Sequence, residues 1–174
     1  SDVPDVLLQL ARLEQDVFRN REAAEDHLRD VIQRVPGSDA AQEARYDLGR
    51  LKLQRGDLND ARLTFSRIVE EVRTGDLANR ARFELARLDF YQGNFDAAET
   101  RLDATDENTS ADVANDAIEL GVLIRSNRGP DSTHTPLRLY AASQLLTRQG
   151  DLVGASARLD TLLSSYGRHG LADD

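Results

Sequence analysis

The sequence predicts an all-α protein in which antiparallel helix pairs repeat in tandem, about four times over. Three observations carry that expectation. The composition favours helices over strands: of 174 residues 30% are charged and 40% apolar, four are proline, none is tryptophan, and leucine, alanine and arginine dominate. A four-residue word, Leu-small-x-Leu, occurs as Leu10-Ala11-Arg12-Leu13, Leu48-Gly49-Arg50-Leu51, Leu85-Ala86-Arg87-Leu88 and Leu120-Gly121-Val122-Leu123, at intervals of 38, 37 and 35 residues. A second word follows it in register. Gly56-Asp57-Leu58 leads to Ala61 and Phe65, Gly93-Asn94-Phe95 to Ala98 and Leu102, and Gly150-Asp151-Leu152 to Ala155 and Leu159, each glycine preceding its alanine by five.

These words read as a helical hairpin. Leucines three apart lie on one helix face, and the small residue between them lets a neighbouring element approach closely. Glycine ends the first helix. Asp57, Asn94 or Asp151 then stands where a side-chain oxygen can cap the second helix, which packs back through its alanine. Ala24, Leu28 and Val31 fit the same second-helix pattern, and Pro36 closes that unit. The helices are expected at 4–18, 21–35, 39–55, 58–73, 77–92, 95–104, 111–127, 136–149 and 152–165, in repeats spanning approximately 1–37, 38–74, 75–109 and an irregular 110–169. Nine helices do not divide into pairs. Either 111–127 is an extra helix, or 136–149 is partner to both of its neighbours, and the way a solenoid stacks each helix between two others favours the second account. Gly129-Pro130-Asp131-Ser132-Thr133 reads as the loop between them. Ser1-Asp2 and Ser38-Asp39 each open a unit, while Gly170-Leu171-Ala172-Asp173 resembles Gly75-Asp76-Leu77-Ala78, so the chain is expected to be part of a longer repeat protein.

On these residues the sequence resembles the tetratricopeptide repeat family. Gly49 and Ala86 match the family's small residue in its first helix, Gly56 and Gly93 its turn glycine, and Ala61 with Phe65 and Ala98 with Leu102 its second-helix pair. The family's tryptophan is missing, and its closing proline survives only at Pro36. The resemblance implies a right-handed superhelical solenoid of antiparallel helix pairs, a single domain over 1–174, whose first helices line a concave groove for a protein or peptide partner.

Chemistry is sparse. With no cysteine there are no disulfides, thiolate nucleophiles or cysteine-based zinc sites. His27, His134 and His169 share no ligand spacing, no serine sits in a nucleophile elbow, and no glycine-rich phosphate loop is present, so no catalytic residue, metal or cofactor is expected. A formal charge of −9 argues against a nucleic-acid partner. No run of about 18 apolar residues is available to insert into a membrane. The loose repeat of 37 residues resembles those of bacterial periplasmic and outer-membrane-associated proteins, which implies the cell envelope ahead of the cytoplasm.

One constellation stands out. Stacking the repeats in register places Arg12, Arg50 and Arg87 at one position of three first helices, with Tyr46, Phe83, Phe90 and Tyr91 on or near the same face and Arg80 at its edge. If the resemblance carries the groove over, arginine beside aromatics suits an acidic partner or a peptide carboxylate. The alternative is that the arginines are neutralised within their own helices, Arg12 by Asp16, Arg50 by Asp47 and Arg87 by Glu84, with the aromatics as core. The leading function is therefore an interaction scaffold, not an enzyme. The others are a self-assembling structural module, in which a homo-oligomer would form, and a regulatory domain of a larger enzyme or transporter.

Of the 22 basic residues 21 are arginine, and aspartate outnumbers glutamate 21 to 10. Salt adaptation and a GC-rich genome both produce such a bias. Melting in graded salt separates them: adaptation predicts a melting temperature that climbs into molar salt, and a flat response assigns the bias to the genome.

Overall fold

A computed structural model describes residues 3–17, 20–104, 110–129 and 133–172. Among them are nine α-helices and no strand: α1 (Val3–Asp16), α2 (Arg21–Arg34), α3 (Asp39–Arg55), α4 (Leu58–Val72), α5 (Asp76–Tyr91), α6 (Phe95–Asp103), α7 (Ala111–Asn127), α8 (Thr135–Gln149) and α9 (Leu152–Tyr166), followed by a 3-10 turn at Gly170–Ala172. The expected helix map is met within two residues at every described end. Ser1-Asp2, Phe18, Asp173 and the centre of the 129–133 loop lie outside the described residues, as does the side chain of Asp16.

The repeated glycine word is one turn used three times. Gly56, Gly93 and Gly150 have φ of 91°, 74° and 85°, the left-handed region that only glycine enters without strain. Each closes its helix with the same pair of bonds. The glycine N–H donates to the carbonyl three residues back, and the next N–H donates to the carbonyl five back, from Asp57 to Lys52 at 3.0 Å, Asn94 to Asp89 at 2.8 Å and Asp151 to Leu146 at 2.9 Å. The expected side-chain caps form only in part. Asp151 accepts from the Gly154 N–H at 2.9 Å, whereas Asp57 and Asn94 make no side-chain cap bond and contribute only their backbone carbonyls. Ser38 and Asn20 cap α3 and α2.

The chain divides into two compact units, 1–81 and 82–174, with the boundary inside α5. In the first, α1 packs on α2, α2 on α3 and α3 on α4. Leu8, Ala11, Leu28, Val31, Ala44 and Leu48 form a shared core, while Ala61, Phe65 and Ile68 bury the inner face of α4. The small residue of the repeated word has a specific neighbour. A Cβ on Gly49 would sit 2.7 Å from the ring of Phe65, which is itself fully buried. What approaches closely is thus an aromatic side chain rather than a backbone. One repeat later the positions hold Ala86 and Leu102, a larger small residue with a smaller large one, and both are buried.

In the second unit α8 packs extensively on α9 but only lightly on α7, which also meets α6. The account in which one helix serves both neighbours is not what the packing shows, because α8 is committed to α9. Counting back from the turn glycine explains why. Tyr46, Phe83 and Tyr140 stand ten residues before Gly56, Gly93 and Gly150, and Gly49, Ala86 and Ser143 stand seven before. This register makes α8 the equivalent of α3 and α5, with α7 as an additional helix. The Leu-small-x-Leu word of α7 misleads because its small residue does another job: the nearest atoms to a Cβ on Gly121 belong to Arg125 of the same helix.

Gly49→Ala is expected to cost about 1–3 kcal/mol in urea unfolding, because a closed core must accommodate the added methyl. Adding Phe65→Leu should recover at least half of that loss. Gly121→Ala should cost nothing measurable, since the flexible end of Arg125 can move and alanine favours the helix. Equal losses at Gly49 and Gly121 would contradict the packing described.

Candidate functional site

Four of the eight candidate groove residues lie in the first unit. Asp47 of α3 is buried, and it is the centre of their arrangement. The Arg12 Nε of α1 donates to its Oδ2 at 2.7 Å, while Arg50, one turn further along α3, stands 3.8 Å from its Oδ1. Glu43, one turn before Asp47, lies 3.4 Å from Arg12 and accepts from Arg80 Nη1 at 2.9 Å. The Arg80 guanidinium also lies over the Tyr46 ring, 4.1 Å from its centroid. Burial opposes the charge of Arg80, but Glu43 and Tyr46 together outweigh it and hold the guanidinium above its usual pKa. Tyr46 is buried and tilts against Phe65 at 5.6 Å.

The other four lie in the second unit around Glu84, which is 3% exposed and occupies the position equivalent to Asp47. Arg148, from the last turn of α8, donates to Glu84 Oε1 at 2.7 Å. Arg87 stands 3.8 Å from the same oxygen and donates to the Tyr91 hydroxyl at 3.1 Å. Burial works against the charged form of Arg148, yet Glu84 and Tyr91 together more than compensate and raise its pKa. Phe83, Phe90 and Tyr91 are all buried, with Phe90 wedged between Tyr91 and Phe95 at 5.9 Å from each.

Asp47 and Glu84 are therefore each held between an arginine of their own helix and an arginine of another, while Asp89, the third buried acid among the described residues, accepts from Arg101 of α6 at 2.7 Å. Sequence reasoning named the partners within a helix, Asp47 for Arg50 and Glu84 for Arg87. It missed Glu43 and Arg148. The available signal was the register counted from the turn glycine, which brings α8 into line with α5.

The second unit also contains a hollow of about 270 Å³. Its walls are Phe83, Arg87 and Phe90 of α5, Asp116, Glu119, Leu120 and Leu123 of α7, and Tyr140 and Gln144 of α8. Leucine and phenylalanine supply apolar wall, while a guanidinium, a phenol and an amide can fix the orientation of a ligand, the usual division of labour in a binding site. Phe83, Arg87 and Phe90 come from the candidate set. The α7 and α8 residues do not, because α7 interrupts the repeat pattern on which that set was built.

His134 is structural. It starts α8 with φ 49°, its Nδ1 lies 2.6 Å from the Arg128 carbonyl, and its ring packs edge-on against Phe95. No group of three metal-ligating side chains occurs among the described residues, and none of the described helices is long and apolar enough to cross a membrane.

No curated protein matches the chain. The family model described as a tetratricopeptide repeat-like domain matches residues 8–118, well over half of the sequence, from within α1 to the middle of α7. Together with the hairpins, the three copies of one turn and the small residue against the second-helix aromatic, that match places the chain in the tetratricopeptide repeat-like family, whose fold is that of a protein-interaction scaffold.

Proposed function

We propose that the protein is a scaffold that binds a segment of a partner protein in the hollow bounded by α5, α7 and α8. One observation carries this reading: three helices leave open a partly apolar recess at the candidate residues Phe83, Arg87 and Phe90. An extended or helical peptide could place an apolar side chain against Leu120 and Leu123 and a polar group near Tyr140 or Gln144. The hydrogen bond from Arg87 to Tyr91 and its 3.8 Å approach to Glu84 do not exhaust its five N–H donors, so it can still meet a carboxylate at the wall.

A second reading, self-assembly, has its own support in two apolar stripes. Val3, Val6 and Leu13 are exposed along α1, and Leu152, Val153, Leu159 and Leu163 along α9. Contiguous exposed apolar surface marks association sites more often than chance would give. A mass that rises with concentration in analytical ultracentrifugation, and falls back on Val6→Asp with Leu13→Asp, would favour this reading. A constant monomer mass would remove it.

The scaffold reading is tested with a library of random twelve-residue peptides displayed on phage. Selected peptides should bind the wild-type chain, and Leu123→Asp should weaken them at least tenfold with the helical circular dichroism intact. Binding indifferent to Leu123→Asp would move recognition elsewhere. Arg50→Ala combined with Arg87→Ala reads out the arginines in the same assay: loss of acidic peptides assigns the guanidinium groups to recognition, and undiminished binding leaves them to Asp47 and Glu84.

A further inference from the structure

The only lysine in the chain, Lys52, stands on the side of α3 away from Asp47 and Arg50. Positions 45, 48 and 52 recur every three to four residues on one face, and positions 43, 47 and 50 do so on the opposite one. Lys52 helps to line a second hollow of about 270 Å³, within the first unit. Arg29 of α2, Arg45 and Lys52 of α3, and Thr64 and Arg67 of α4 surround it, with Ile32 and Leu48 as an apolar floor.

Four cations line this hollow and no carboxylate does. That is an unusual concentration of positive charge in a chain of net charge −9. The carboxylates bonded to these cations lie outside the lining. Glu71 is shared between Arg45 and Arg67 at 2.7 Å each, and Glu25 takes Arg29 at 2.5 Å while also bonding Arg55. Bonds from Arg67 and Gln42 hold the Glu71 carboxyl below its usual pKa, so it remains a fixed anchor for both arginines near neutral pH. Lys52 has no ion pair among the described residues. Its ammonium donates to Thr64 Oγ1 at 3.1 Å, and the Thr64 hydroxyl donates in turn to the Asp60 carbonyl at 2.7 Å. Two ammonium protons remain free, and each arginine keeps unused N–H donors.

We propose that this hollow binds a phosphate group, either as the free ion or as the end group of a small organic phosphate. A tetrahedral oxyanion can accept from several converging N–H donors at once, and arginine with lysine is the donor set that suits it. A hollow of this volume accommodates a compact ligand that carries one tetrahedral oxyanion. Ile32 and Leu48 would lie beneath the carbon portion of an ester. This site is independent of the peptide-binding hollow, which lies in the other unit.

The test titrates inorganic phosphate and glycerol phosphate separately into the protein at constant ionic strength, with sodium chloride as the compensating salt, following amide shifts by NMR. Saturable shifts at Lys52, Thr64 and Arg67 are expected. Binding of both ligands shows that the phosphate group suffices, and binding of glycerol phosphate alone shows that the organic portion is required; each supports the site. Lys52→Gln should weaken binding at least tenfold, and so should Arg67→Gln, whose side chain is 65% exposed and whose loss leaves Glu71 paired with Arg45. Arg158→Gln on exposed α9 changes net charge equally and should have no effect. Non-saturating shifts with both ligands, or equal affinity in Lys52→Gln and wild type, would overturn the proposal.

Discussion

Carboxylates taken out of water, above all Asp47 and Glu84, impose the constraint on which the rest of this structure depends. An isolated buried carboxylate costs several kcal/mol, and only a well-placed cation with direct hydrogen bonds offsets that cost. Asp47 and Glu84 each have an arginine one turn along their own helix, but at 3.8 Å these supply charge without a close bond. The short bonds come from other helices, Arg12 of α1 to Asp47 and Arg148 of α8 to Glu84, at 2.7 Å each. Leucine and alanine stripes would tolerate one helix sliding along another by a turn. A buried carboxylate would not, since the slide would strip it of its partner. The ion pairs thus act on register, whereas apolar burial supplies most of the driving force.

That division gives the composition a physical sense. A guanidinium presents a flat fork of donors to two acceptors at once, as Arg12 does to Asp47 and Glu43, which an ammonium cannot do with the same geometry. A chain that relies on such pairs uses arginine where a cation bridges helices to a buried carboxylate, as Arg12 does to Asp47 and Arg148 to Glu84. The one lysine stands where no carboxylate among the described residues meets it, on the opposite side of α3. The two faces of that helix therefore carry different chemistry: one is neutralised internally, and the other retains an unbalanced positive charge over an apolar floor.

Most of the helical framework was legible in the sequence because its determinants are local. A glycine at positive φ, the residue after it and the first apolar residue of the next helix lie within three positions, and all three copies form the same turn. The Gly49 and Phe65 complementarity was legible as a pattern of small and large residues, although the nature of the close neighbour was not. The assignment of α7 failed for a physical reason. A four-residue word records only that a helix has a packed face with a small residue in it, and Gly121 satisfies that description by making room for its own Arg125. The register counted from Gly150 held more information, since it fixes ten residues of α8 together. The least legible features were the longest in range. Nothing near Glu84 in sequence announces Arg148, 64 positions away, and the two hollows exist only once three helices have been brought together.

The bond between Glu84 and Arg148 allows the most direct test of this account, through a double-mutant cycle on stability. If the pair sets the position of α8 against α5, Glu84→Ala and Arg148→Ala should each destabilise the protein. The double variant should then lose less than the sum, by a coupling of about 1–3 kcal/mol. Strictly additive losses would mean that the two side chains do not depend on one another, and would contradict the claim that buried acids gripped by arginines fix the helix register.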